Sequence, residues 1–187
     1  MADSYYINQP WNNLYIEDYL IKEFIPFIQT NYQLFRNKES SFIGGISMGG
    51  FGSLLIGSHS NLFSKIICIS SAFIIHDITN GNPEIVGYHN EKHFRNLFGD
   101  FISLRTSYER NPLVAAQTAL QTTQLPSIFM SCGTEDLLFE RNRNIYHTLV
   151  SSNADITWFE AKGNHNWSFF NQAIEAGFQW TNYLNTF

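Results

Sequence analysis

Charge is what this chain has least of. Only 14% of its 187 residues are Asp, Glu, Lys or Arg, against about 25% in an average globular domain. Sixteen acidic side chains outnumber eleven basic ones, for a formal net charge of −5. With no basic stripe, electrostatic capture of a nucleic-acid backbone is excluded. Long apolar runs are missing too. The longest, around residues 66–75, is broken by serines and is shorter than the roughly 20 residues that a bilayer span needs. Residues 1–11 show no basic segment followed by an apolar one, so no secretory leader is read there. Cysteine is scarce. Cys68 and Cys132 sit in apolar stretches and read as buried free thiols, which suits a reducing cytoplasm.

Apolar and aromatic mass is plentiful. The hydrophobic fraction is 44%, with 17 Phe, 9 Tyr and 4 Trp. Such a chain buries enough surface to offset its conformational entropy, which excludes disorder as the main state. Its length suits one domain over residues 1–187. The aromatic surplus suggests that some rings face a substrate or another subunit.

Periodicity supplies the organisation. Residues 15–32 place Ile16, Leu20, Phe24, Phe27 and Ile28 at helical intervals, and Pro26 should kink that helix or end its regular part. Residues 65–70 (KIICIS) and 127–132 (SIFMSC) are apolar without alternation, the pattern of strands covered on both faces. Residues 41–43 and 154–160 read as two more strands. Helices are expected over 49–58, 137–150 and 167–184. Strands alternating with helices give an α/β fold with a mostly parallel sheet. Residues 76–124 break the rhythm and read as a small cap inserted over one end of that sheet.

The sharpest signal is Gly45-Ile46-Ser47-Met48-Gly49, a G-x-S-x-G between a strand and a helix. That context is a nucleophile elbow, in which the serine takes a strained backbone conformation at the carboxyl ends of the strands. Glycine is expected on both sides, because side chains there would collide with strand and helix. The helix amino terminus favours developing negative charge. A serine hydroxyl needs a base and the base an orienting acid, in the chain order Ser, Asp or Glu, His. Glu135-Asp136 follows the 127–132 strand and His165 follows the 154–160 strand. Asp136 is preferred to Glu135. Asp77 and Asp100 follow no core strand and read as turn or capping residues. Among other histidines, His59 and His147 read as surface residues. His76, His89 and His93 lie in the cap. No Cys or Glu constellation completes a metal site around His89 and His93, which read as a solvated pair. Phe94, Phe98 and Tyr108 are either walls of an acyl pocket or the cap's own core.

Three segments, FIGGISMGGFGSLLIG, SCGTEDLLFERN and KGNHNWSFFNQAI, resemble the α/β-hydrolase esterases of the esterase D type. Bacterial tributyrin esterases and short-chain acetylesterases are the most similar within that group. YIEDYLIKEFIPFIQTNY is similar to the helix that precedes their elbow. The resemblance implies the α/β-hydrolase fold, with Ser47 as nucleophile, Asp136 as acid and His165 as base. It also implies the Met48 N–H as an oxyanion donor and no cofactor or metal. The substrate class implied is a short-chain acyl ester, processed through an acyl-enzyme. Alternatives are an S-formylglutathione hydrolase-like thioesterase, a weak or inactive half-domain serving assembly and, less favoured, a serine peptidase. Asn166 stands where the family commonly has Asp, which should bear on a loop contact. Family members usually carry several tens of further amino-terminal residues, which build the first strands and donate the second oxyanion N–H. Without them the elbow strand is expected at a sheet edge, in a fragment or in a homo-oligomer that covers it.

Overall fold

The computed structural model describes residues 4–32, 34, 37–81, 91–122 and 125–182. The amino-terminal stretch pairs β1 (Asn8–Gln9) with β2 (Leu14–Tyr15) in antiparallel register. The 15–32 helix is present in three parts: α1 (Ile16–Asp18), a π-helical turn (Tyr19–Phe24) and α2 (Ile25–Tyr32). The Ile25 N–H donates to the Leu20 carbonyl five residues back. The widened turn lies just ahead of Pro26, whose ring would collide with the carbonyl four residues back in a regular α-helix. The sequence thus located the irregularity, and the chain absorbs it as a π-turn.

From there the chain alternates. It runs through β3 (Phe42–Ile46), α3 (Met48–His59), β4 (Lys65–Ile69) and four helices: α4 (Ile75–Thr79), α5 (Glu91–Phe98), α6 (Phe101–Leu104) and α7 (Pro112–Gln121). It then continues through β5 (Ser127–Gly133), α8 (Phe139–Ser151), β6 (Ile156–Ala161) and α9 (Trp167–Thr181). The four strands form a parallel sheet in the order β3-β4-β5-β6, with Ile46 opposite Ile69 and Ile69 opposite Ser131.

Parallel strands need crossovers, and these crossovers cover both faces. α3, α7 and α8 form one layer, and α9 packs on the other side against β4, β5 and β6. Strand β4 shows why its sequence lacks alternation. Ile66 and Cys68 enter the core formed with Phe51, Leu54, Leu55 and Leu149, whereas Ile67 and Ile69 meet Phe169, Phe170 and Ala173 of α9. Both pleat faces are dry. Between β4 and β5, Phe94 and Phe98 are buried in the first of these cores, and the ring of Tyr5 packs on Phe98 at 4.9 Å. The open alternative for these two phenylalanines closes on core. Tyr108 is partly exposed and stacks on His59, with ring centroids 4.4 Å apart. His89 lies outside the described residues. β3 has no second neighbour among the described residues, as expected for an edge strand.

Candidate active site

Successive carboxyl ends of the sheet carry the predicted residues. Ser47 follows β3 and opens α3 with φ 56° and ψ −117°. Non-glycine residues rarely adopt this conformation, which costs on the order of 1–3 kcal/mol. Four backbone bonds hold it. The Ser47 N–H donates to Ile69 O at 2.9 Å, and the Ser47 carbonyl accepts from Gly50 N, Phe51 N and Ala72 N at 3.1, 3.2 and 2.9 Å. The chain turns this sharply because Gly45 and Gly49 meet. A Cβ on Gly45 would sit 2.4 Å from the Gly49 carbonyl carbon. The expectation that both glycines avoid collisions holds for Gly45 alone. A Cβ on Gly49 would meet nothing within 4 Å outside its own helix turn and chain neighbours.

Two of the three predicted side chains are joined. The Nδ1 of His165, in the loop after β6, lies 2.8 Å from Oδ2 of Asp136, in the loop after β5. The other Asp136 oxygen, Oδ1, accepts the Leu138 N–H at 2.9 Å. The Asp136 side chain is 0% exposed and that of His165 29%. Burial alone pushes the Asp136 carboxyl up. Donors on His165, the Leu138 backbone and the Ser70 hydroxyl, with the charge His165 can carry, outweigh it and hold the group below the ordinary carboxylate range. Glu135 instead reaches Lys162 at 3.6 Å on the surface. The His165 ring rests edge-on against Phe170, with centroids 5.1 Å apart. Asn166 caps α9, its Oδ1 accepting from Ser168 N and Phe169 N at 3.1 and 3.4 Å. An Asp at that position would cap in the same way.

The third side chain stands apart. Among the described residues the Ser47 hydroxyl has no hydrogen-bond partner, so Ser47 and His165 do not share a bond in this state. Such contacts are often open in a free enzyme and tighten around substrate. Met48 is the first residue of α3. Its N–H has no acceptor among the described residues and belongs to the unpaired first turn. A cleft of about 540 Å³ opens here, lined by Ser47, Met48, Gly49, Gly52, Tyr6 and Leu20 among others.

The remaining candidates fall elsewhere. Asp77 forms a two-pronged ion pair with Arg141, at 2.8 and 3.0 Å. Asp100 caps α6 through the Ser103 N–H at 2.7 Å. His76 bonds Asn80 at 2.8 Å and is exposed, as is His147. His93 lies edge-on to Phe94. His59 departs from its surface reading. Its side chain is 9% exposed, with Nδ1 2.5 Å from Glu17 Oε1 and Nε2 2.8 Å from the Tyr108 carbonyl. Its partners come from segments 42 and 49 residues away, so sequence spacing carried no sign of them. Sequence reading also passed over Ser70, a left-handed residue (φ 42°) after β4 whose hydroxyl reaches the Asp136 carboxyl.

The sequence profile of the family described as "Putative esterase" matches residues 2–181. The chain belongs to this esterase family. It is a hydrolase of carboxylic esters. An acetyl esterase from Caldicellulosiruptor saccharolyticus is 32% identical over 181 residues, which are 95% of this chain and 68% of that one. Two solved structures from Staphylococcus aureus share the fold. The S-formylglutathione hydrolase FrmB superposes with a TM-score of 0.79 at 21% identity. The fluorophosphonate-binding serine hydrolase FphF, with substrate bound, superposes at 0.82 and 21%. Each match covers 97% of this chain and 68% of the other. The architecture is accordingly an α/β-hydrolase fold, with β3 as its elbow strand. No helix among the described residues is long and apolar enough to cross a membrane.

Proposed function

We propose that this esterase hydrolyses short-chain acyl esters with Ser47 as nucleophile, His165 as base and Asp136 as the orienting acid. The observation that carries this reading is the 2.8 Å contact between His165 Nδ1 and buried Asp136, at the same rim of the sheet as the strained Ser47. A proton on Nδ1 donated to Asp136 leaves Nε2 as the acceptor. His165 then takes the Ser47 proton as Oγ attacks the ester carbonyl, and returns it to the departing alcohol. Water, deprotonated by the same imidazole, frees the acid from the acyl-enzyme. The Met48 N–H serves the oxyanion. One such donor typically contributes about 2.7–4 kcal/mol in the transition state. No cofactor or metal enters any step.

Short acyl groups are favoured by the acetyl esterase relative. The fold shared with an S-formylglutathione hydrolase makes thioesters the second substrate class. An acyl series from 4-nitrophenyl acetate to octanoate, run beside a feruloyl ester and a thioester, tests the reading. Highest kcat/KM on acetate or butyrate supports it, and a maximum on octanoate or on the thioester contradicts it.

Within this reading, residues 1–187 act as one domain, with 76–124 as its cap. A second copy of the chain covers the edge of β3. Apolar clefts of about 540 and 350 Å³ flank that edge, the second lined by Phe42, Ile46, Ile174 and Phe178. Phe178 is 48% exposed there.

A further inference from the structure

Asn142 is 0% exposed, yet it carries an amide that burial would penalise if unpaired. It lies in the first turns of α8 and spends its amide on the loop after β4 and on Leu138, the residue that caps its own helix. Oδ1 accepts the Ser71 N–H at 3.0 Å, and Nδ2 donates to the Ser71 carbonyl at 2.8 Å. One side chain thereby pairs with both backbone groups of one residue, as a neighbouring strand would. Nδ2 also donates to the Leu138 carbonyl at 2.9 Å.

Both partners adjoin the site. Ser71 precedes Ala72, whose N–H holds the Ser47 carbonyl at 2.9 Å. The Leu138 N–H bonds Asp136 Oδ1, and Asp136 Oδ2 bonds His165. A continuous chain of bonds therefore runs from the elbow through Ser71, Asn142 and Leu138 to the acid and the imidazole. Asn142 is the link in it that crosses between the loop after β4 and the loop after β5.

We propose that Asn142 is a positioning residue: it sets the elbow and the Asp136–His165 pair at their working separation. This rests on the triad reading above. The amide fits because it offers both chemistries at once: Oδ1 is the acceptor for the Ser71 N–H, and Nδ2 is a second donor to the Ser71 and Leu138 carbonyls, which also accept the Phe73 and Asn142 backbone N–H groups. Aspartate would set carboxylate oxygen against both carbonyls. Serine is too short to span the gap. The Ser47–His165 contact has to close around substrate, and a misplacement of about 1 Å typically costs ~100-fold in rate.

The experiment compares Asn142→Asp and Asn142→Ser with Leu149→Ala, a cavity variant in a buried position of the same helix that touches none of these bonds. Sites are counted by fluorophosphonate titration, and kcat and KM are measured per titrated site on 4-nitrophenyl acetate. The expected result is kcat lower by roughly 100-fold in both Asn142 variants with KM near wild type, and unchanged kcat in Leu149→Ala. Wild-type kcat per site in the Asn142 variants overturns the proposal. So does an equal loss in Leu149→Ala, and so does failure of both Asn142 variants to fold, which would make the residue a support of the fold alone. Ser47→Ala is run in parallel. If it keeps full turnover, the triad reading falls and takes this inference with it. If it is inactive while the Asn142 variants are not, only the inference falls.

Discussion

Asp136 and His165 stand 29 residues apart in sequence and share a 2.8 Å bond, with the carboxylate sealed beneath the imidazole. Asp136→Asn keeps the shape and presents the wrong partner to Nδ1, since an amide nitrogen can replace the accepting oxygen. The imidazole then settles in the other tautomer, and kcat on 4-nitrophenyl acetate falls by about 10⁴-fold. Steady-state kinetics on the folded variant check this, and a loss under tenfold contradicts it.

The same carboxyl links stability to pH. Its folded-state affinity for a proton is lowered, so its contribution is present above the unfolded value of about 3.9 and is lost as pH falls through the lower folded value. The stability gap between wild type and Asp136→Asn should be constant from pH 5 to 7 and narrow below about pH 4. Urea unfolding at each pH measures it, and a gap that widens on acidification contradicts the sign.

His59 works in the opposite direction. Both ring nitrogens face acceptors, Glu17 and the Tyr108 carbonyl, and only an imidazolium donates to both. Burial alone would lower its proton affinity, but the Glu17 bond and charge, the Tyr108 carbonyl and the Glu109 charge raise it above the ordinary value. The stabilisation is fully present below about pH 6.5 and fades as pH rises through the raised folded value. Glu17→Gln should therefore cost about 1.5–3 kcal/mol at pH 6 and less at high pH. Thermal unfolding of both proteins at pH 6 and 9.5 reads this, and a cost that grows with pH would falsify it.

The elbow glycines separate cleanly. Gly45→Ala forces a Cβ to 2.4 Å from the Gly49 carbonyl carbon, where only backbone can give way. It should cost at least about 1–3 kcal/mol and most of the activity. Gly49→Ala meets open space and gains helix propensity of about 0.8–1 kcal/mol. Paired melting curves and activities decide this, and equal damage at the two positions contradicts it.

If a second copy covers β3, a charge placed beside that edge should disperse it. Phe178→Asp is expected to turn a dimer mass by light scattering into a monomer mass. A wild-type protein that is monomeric at all concentrations contradicts the self-association.

Much of this architecture was legible in sequence because its signals are local. The unalternating KIICIS and SIFMSC became central strands, since two helical layers dry both faces. The G-x-S-x-G segment turned where a strand gives way to a helix, and Pro26 marked the π-turn to within a few residues. Asp136 was legible from its place one loop past a strand. What escaped depends on tertiary partners. Nothing in the sequence around Asn142 says that its amide reaches Ser71, 71 residues away. His59 looked like an ordinary polar end to α3, because its acceptors arrive from Glu17 and Tyr108. Gly49 looked as constrained as Gly45 because a motif records residue types and not what a Cβ at each position would meet.

The account turns on Ser47 being the group that takes the acyl chain. Incubation with a fluorophosphonate, followed by digestion and mass analysis, tests that directly. The account predicts one adduct on the peptide that contains Ser47, lost in Ser47→Ala and slowed in Asp136→Asn. An adduct on any other residue, or none in a protein that still cleaves 4-nitrophenyl acetate, would contradict it.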